Sequence, residues 1–198
     1  MLTQARAAIV STLFFTLLLG VVYPMAVTGI AQLAFPHQAG GSLIRDASGQ
    51  VTGSALIAQN FKRPEYLHPR PSAAGADGYD ASGSSGSNLG PLNPDLAKRI
   101  AASADQLRGE GAAPISADAV TTSGSGLDPD ISPANAQRQA ERVATARGMA
   151  RADVERLIAT NTRAPWLGIF GQPAVNVLQV NLALDAAVPM RRAPPAKG

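Results

Sequence analysis

Residues 9–35 read IVSTLFFTLLLGVVYPMAVTGIAQLAF, inside a longer stretch from Ala7 to Ile44 that holds no Asp, Glu, Lys or Arg. Wound as an α-helix this run reaches about 40 Å, whereas a bilayer core needs only about 20 residues. It predicts a membrane-spanning helix over 9–35 with length to spare. A cleaved secretory signal is the competing reading, because the amino end is short and carries Arg6. A signal's apolar core is roughly 7 to 15 residues, however. The surroundings of Tyr23-Pro24 also offer no obvious small-x-small cleavage site, so a retained anchor is favoured. Pro24 is expected to kink the helix or to mark its frayed outer end.

Working outward, Arg6 lies on one side of the run and Arg45 with Asp46 on the other. That charge difference biases the amino end inward, and a short amino end before a long polar domain favours placing 36–198 outside. The chain is thus expected to comprise a cytoplasmic segment over 1–8, a transmembrane helix over 9–35, a single mixed α+β periplasmic domain over 36–188 and a disordered tail over 189–198. Along the helix, Ala8, Thr12, Thr16 and Gly20 recur every four residues. They form a row of small side chains along which a partner helix can approach closely. Leu13, Phe14, Phe15, Leu17 and Leu18 face elsewhere and suit lipid.

The chain's 198 residues allow one ordinary domain plus an anchor. Aromatic content is 5%, and 19 Gly with 15 Pro point to a modest core held by many fixed turns. The absence of Cys excludes thiol catalysis, a disulfide framework and cysteine-ligated zinc, and two His exclude a His-rich metal site. A net charge of +3 is no nucleic-acid footprint. Charge is unevenly spread along the chain: Glu65 to Asp130 holds nine acidic and four basic side chains, and Ile131 to Gly198 nine basic and four acidic.

Short strands are expected at Ser42–Arg45 and Val51–Ala58, around a turn at Ser48-Gly49. From Lys62 to Pro94 ten Pro and Gly residues forbid a long helix or strand. Within it Ser82–Ser87 (SGSSGS) fits a flexible linker, while Pro64–Pro71 suggests a rigid, packed segment. Asn93-Pro94-Asp95 is a helix start, followed by the stripe Leu96, Ile100, Ala104 and Leu107 and ended by Gly109. Ser132-Pro133 repeats the logic, with Ala136, Ala140, Val143 and Ala144 inward and Gly148 as the stop. A third helix over about 151–160 buries Val154, Leu157 and Ile158. These last two imitate a DNA-binding helix-turn-helix, but an exported domain meets no genome, and a packed helical hairpin is expected. Val175–Asp185 (VNVLQVNLALD) reads as a central or near-central strand with a bulge near Leu178-Gln179.

Catalytic chemistry is missing from this pattern. There is no G-x-S-x-G, no S-x-x-K, no phosphate-loop glycine pattern and no motif around either His. Two dense polar turns stand out instead. One runs from Arg70-Pro71-Ser72-Ala73 through Tyr79-Asp80 to Ser87-Asn88-Leu89-Gly90-Pro91, the other from Thr121 to Pro133. Glycine and small hydroxyl residues permit close backbone approach and otherwise closed turn conformations. Either these turns satisfy buried backbone groups, or they form a docking or ligand surface; Ser123, Gly124, Ser125, Gly126 and Asp128 are the candidate contacts.

At these turns the sequence resembles the C subunit of the Kdp-type potassium-transporting P-type ATPase. The likeness runs from Tyr23-Pro24 through Gly53-Ser54-Ala55-Leu56-Ile57-Ala58-Gln59-Asn60-Phe61, Arg70-Pro71-Ser72-Ala73 and Ser87-Asn88-Leu89-Gly90-Pro91. It continues through Ser123-Gly124-Ser125-Gly126-Leu127-Asp128, Ile131-Ser132-Pro133 and Arg142-Val143-Ala144 to Val175-Asn176-Val177-Leu178 and Asn181-Leu182-Ala183-Leu184-Asp185. The family usually has Gly at the place of Ala58 and often Asn at that of Asp80. The resemblance implies a single-span, non-catalytic accessory subunit in the cell inner membrane, with its amino end cytoplasmic and its domain periplasmic. Its partners would be a channel-like potassium-translocating subunit, a phosphorylating pump subunit and membrane lipid. It would assemble or stabilise the complex and raise the pump subunit's affinity for ATP. ATP would enter through the pump subunit and potassium as the transported ion, with no cofactor held by this chain itself. An outward domain cannot touch cytoplasmic ATP, so such an effect would travel as a coupling free energy, and direct nucleotide binding would require the opposite topology. A function of another class is a membrane-tethered periplasmic protein that binds a small ligand at the Gly/Ser turns.

Overall fold

A computed structural model of the chain describes residues 2–46, 48–111 and 113–189. Two compact units result, residues 1–54 and residues 55–198. The expected disordered tail lies, beyond Pro189, outside the described residues.

In the first unit, α1 (Leu2–Leu17), a π-helical turn (Leu18–Val22) and α2 (Tyr23–Ala34) follow without a break. Gln4–Ala34 is a 31-residue helix, long and apolar enough to cross a membrane, and none of its apolar window is covered by protein. Pro24 neither stops this helix nor marks its end. Its ring would collide with the carbonyl four residues back, that of Gly20, and it has no N–H to donate. The turn before it widens instead, with Tyr23 N–H donating to the Leu18 carbonyl five residues back. A single turn, α3 (Pro36–Ala39), precedes the hairpin of β1 (Leu43–Arg45) and β2 (Val51–Ser54), which pair antiparallel with Leu43 opposite Ser54. The Asp46 carboxylate holds the hairpin turn, accepting from Ser48 N–H (2.9 Å), Ser48 Oγ (2.6 Å) and Gln50 N–H (3.1 Å). The second strand stops at Ser54 instead of Ala58; Ala58 is buried in the second unit, its N–H bonded to the Leu127 carbonyl at 2.9 Å.

The second unit begins with residues 55–93, which contain no helix or strand. Then come α4 (Pro94–Gly109), α5 (Ala117–Val120), β3 (Asp130–Ile131), α6 (Pro133–Arg147), α7 (Arg151–Thr160), β4 (Thr162–Arg163), β5 (Ala174–Asn176) and α8 (Val177–Ala187). The capping residues act as their chemistry dictates. Asn93 Oδ1 accepts from Asp95 N–H, Ser132 Oγ accepts from Asn135 N–H, and Gly148 ends α6 in the left-handed conformation at φ 64°. The stripe on α4 is only half-buried, and no residue of that helix is fully covered. The three strands form an antiparallel sheet in the order β3-β5-β4.

The long terminal strand is not formed. Only Ala174–Asn176 is strand, lying centrally in the sheet; from Val177 the chain is helix. Asn176 Oδ1 caps the turn by accepting from Gln179 N–H at 3.1 Å. Val177, Val180, Asn181 and Leu184 then fall at i, i+3, i+4 and i+7 and are all buried. No bulge is needed, because the change of parity was a change of period.

These elements enclose a core of Ile131, Ala136, Ala140, Val143, Val154, Ile158, Val175, Val177, Val180 and Leu184, with Leu67 from the irregular segment fully buried among them. Burying an extended backbone requires partners for its amides. Two helix side chains supply them: Asn181 accepts from Leu67 N–H (2.8 Å) and donates to Leu67 C=O (3.0 Å). Gln139 does the same for His68, at 2.8 and 3.0 Å. Each amide takes the place of a neighbouring strand, and this fixes Pro64–Pro71 as the rigid segment expected.

Candidate functional site

The two polar turns meet. Ser72 Oγ donates to the Gly126 carbonyl at 2.6 Å while accepting from Ala74 N–H (3.1 Å) and Tyr79 N–H (2.8 Å). Tyr79 returns its hydroxyl to the Arg70 carbonyl at 2.8 Å, and burial pushes its phenol above the ordinary value. Arg70 crosses to the other turn, pairing with Asp128 Oδ2 at 3.2 Å and donating to the Thr122 carbonyl at 3.3 Å. Ser85 N–H and Ser84 Oγ both donate to the Ser125 carbonyl, at 2.9 and 3.0 Å. Ser82–Ser87 is therefore no plain linker; part of it is tied to the second turn.

Of the five candidate contacts, Ser125 Oγ accepts from Leu127 N–H at 3.1 Å, and Ser123 is buried with its Oγ 3.4 Å from that of Ser125. Asp128 Oδ1 accepts from Asp130 N–H at 3.0 Å. Gly126 has φ +66°, and a Cβ there would overlap the Ser85 carbonyl oxygen and lie 2.8 Å from the Ala74 amide nitrogen. Gly124 has open space around its own Cβ position. The glycine demanded by geometry is thus Gly126, where two backbones cross at a distance no side chain allows. The neighbouring carboxylate Asp118 accepts from Ser132 N–H (2.8 Å), Ser132 Oγ (2.9 Å) and Asn135 Nδ2 (3.2 Å). Burial would push Asp118 up, but the donors bonded to it, from Ser132 and Asn135, help hold it below the ordinary carboxylate value.

A second polar hub, which the sequence did not announce, sits beside the core. The Arg147 side chain is 0% exposed and pairs with Asp185 at 2.8 Å. It donates to the carbonyls of Glu65 (2.6 Å) and Val188 (3.1 Å) and lies 4.9 Å from the centre of the Tyr66 ring. Tyr66 closes the circuit by donating to Asp185 Oδ2 at 3.1 Å. The available signal was Arg147 at the end of an otherwise inward-facing stripe, since an arginine there must bring its own partners.

A cleft of about 620 Å³ is lined by Arg138, Arg142 and Arg151 with Glu110 and Glu141. Its cations are engaged: Arg138 and Arg142 with Glu110, Arg142 also with the Pro64 and Tyr66 carbonyls, and Arg151 with Glu141 and Glu155. The pairs of Arg138 and Arg142 with Glu110, and of Arg163 with Asp130, join the acidic and basic halves of the sequence in space. Among the described residues no group of three or more His, Asp or Glu is placed to hold a metal ion.

In the first unit Ala8, Thr12, Thr16 and Gly20 are all exposed, and nothing lies within 4 Å of a Cβ built on Gly20. Thr12, Thr16 and Gly20 line one shallow groove with Ser11, Phe15 and Leu19. This row and the polar turns lie in different units.

The family described as KdpC, K+-transporting ATPase, c chain, matches residues 5–186. The potassium-transporting ATPase KdpC subunit of Caulobacter sp. (strain K31) is 64% identical over 190 residues, 96% of this chain and 96% of that protein. The KdpC subunit of Beijerinckia indica is 61% identical over 197 residues, 98% of this chain and 99% of its own length. That of Gemmatimonas aurantiaca is 54% identical over 188 residues, 94% of each.

Proposed function

This chain belongs to the KdpC family, the c chains of K+-transporting ATPases, and from that membership we propose how it works. It is a non-catalytic accessory subunit of a potassium-transporting ATPase complex. The observation that carries the reading is the match over residues 5–186, which takes in the apolar helix and both polar turns. Its helix anchors it in the inner membrane with the amino end cytoplasmic and the following domain periplasmic. The row Ala8, Thr12, Thr16 and Gly20 faces a helix of a channel-like potassium-translocating subunit or of the phosphorylating pump subunit, because small side chains let two helix backbones approach closely in lipid.

The turn of Ser123, Gly124, Ser125, Gly126 and Asp128 serves as a structural tie. Its carbonyls, hydroxyls and glycine cradle are occupied by groups of the same chain, which leaves the small-ligand reading without support. From a periplasmic position any effect on the pump subunit's ATP affinity is a coupling free energy transmitted by the complex.

Purification of the tagged chain from cells that also express its partner subunits tests this directly. The channel-like and pump subunits are expected to co-purify, and omission of the chain should lower both the yield of complex and its apparent affinity for ATP. A carboxyl-terminal reporter should be active only on the periplasmic side. A chain that purifies alone, and whose omission leaves the complex intact, would overturn the proposal.

A further inference from the structure

Residues Trp166–Phe170 read WLGIF and are placed where no core can use them. Trp166 is 70% exposed, Leu167 71%, Ile169 76% and Phe170 57%. Among the other described residues of the second unit the exposed large apolar ones are the scattered Leu56, Leu92 and Leu182, as on any protein surface. Four in five consecutive positions make a patch, and an exposed patch marks a contact.

The display is built in. Trp166 and Phe170 exchange both backbone hydrogen bonds, N–H to C=O at 2.9 and 3.0 Å, and Gly168 N–H donates to the Pro165 carbonyl at 3.0 Å. The Trp166 and Phe170 rings pack on each other with centroids 5.6 Å apart. Leu167 is held at φ +52°, a conformation a leucine rarely adopts. From Ala164 to Leu184 the chain carries no Asp, Glu, Lys or Arg.

We propose that this turn is a membrane-interface contact, seating its apolar tip in the headgroup region of the bilayer that holds the chain's own amino-terminal helix. Tryptophan has the amphipathic character that concentrates its ring at the lipid–water boundary, and the Phe170 ring packed on it adds apolar surface. Within the turn the N–H groups of Trp166, Gly168, Ile169 and Phe170 are already bonded to backbone carbonyls, which lowers the cost of leaving bulk water for the headgroup region. A five-residue tip is far below the roughly 800 Å² per partner of a stable protein interface. A lipid contact needs no such area here, because the anchor keeps the bilayer at high effective concentration. The inference rests on the reading of Gln4–Ala34 as a membrane span.

Trp166 is the sole tryptophan of the chain, so its fluorescence reports on the turn alone. The full chain is reconstituted into phosphatidylethanolamine/phosphatidylglycerol vesicles, with and without lipids brominated near the headgroup end of the acyl chain. The expected result is a blue-shifted emission that loses intensity to the brominated lipid. The variant Leu167→Ser/Ile169→Ser/Phe170→Ser should restore both wavelength and intensity, with an unchanged far-UV spectrum because none of these side chains enters the core. Emission that stays red-shifted, indifferent to bromine and open to acrylamide overturns the proposal. So does shielding that appears only when the partner subunits are co-reconstituted, which would assign the turn to a protein contact. Resistance to carbonate extraction is measured in parallel: an extractable chain removes the membrane span and the proposal with it, whereas a resistant chain with a water-exposed Trp166 removes the proposal alone.

Discussion

Replacing Gly126 by alanine isolates the point where the two polar turns cross. At φ +66° a side chain costs about 1–2 kcal/mol in backbone sterics alone. The added Cβ also meets the Ser85 carbonyl oxygen and the Ala74 amide, both backbone atoms that cannot swing aside. Forced overpacking of that kind adds about 1–3 kcal/mol, for a sum of about 2–5 kcal/mol. Ser125→Ala removes the acceptor for Leu127 N–H and should cost about 1 kcal/mol. Gly124→Ala meets open space at a position outside the left-handed region and should stay within about 0.5 kcal/mol of wild type. Urea unfolding of the detergent-solubilised chain, followed by far-UV circular dichroism, reads all three. The midpoint should fall by about 1 M or more for Gly126→Ala, with Gly126→Val worse still. A Gly126→Ala midpoint equal to that of Gly124→Ala would refute the crossing argument. A Ser125→Ala chain that folds normally but abolishes potassium uptake would show that the turn binds something after all.

Substituting leucine at both Thr16 and Gly20 keeps the helix apolar but fills its groove, so recovery of the complex from detergent should fall while the chain still inserts; unchanged recovery sinks the packing role. Arg147→Met leaves the Glu65 and Val188 carbonyls without their donor and the Asp185 carboxylate without its cation, with Tyr66 alone still donating to it, and should cost about 3–5 kcal/mol. Asp185→Asn should cost less, because that side chain is partly exposed and Arg147 keeps both carbonyls; thermal unfolding that ranks the two the other way contradicts the hub. Burial, and then the nearby Arg142 charge, hold the His68 pKa below its ordinary 6.5, so the folded state prefers the neutral ring. Stability from this group is complete above the unfolded value and is lost as pH falls toward the folded one. Unfolding midpoints should therefore drop between pH 7 and pH 5, and His68→Gln should flatten that slope.

Read by itself, the sequence determined the elements whose information is local. The anchor follows from an uncharged run longer than a bilayer is thick, and Asn93, Ser132 and Gly148 mark helix ends because a cap needs only its own neighbours. The inward stripe of α6 was legible for the same reason, since a helical face is fixed by spacing alone. The density of Gly and hydroxyl residues marks both polar turns in the sequence, though not that they meet.

What only tertiary structure decided is which partner each ambiguous group finds. Val175–Asp185 is rich in β-branched residues and alternates well enough for a strand, yet its 177, 180, 181, 184 spacing is helical, and two periods in one short run cannot be ranked locally. Packing ranks them: as a helix the segment buries Val177, Val180 and Leu184 and aims Asn181 at the Leu67 backbone, which would otherwise lie in the core with unpaired amides. The need for glycine at 126 and not at 124 likewise depends on Ser85, forty-one residues earlier in the chain. Charges separated along the sequence become neighbours for the same reason, as Arg70 reaches Asp128 and Arg163 reaches Asp130. Caps and periods act over one or two turns, whereas burial acts between segments that meet only once the chain has closed on itself.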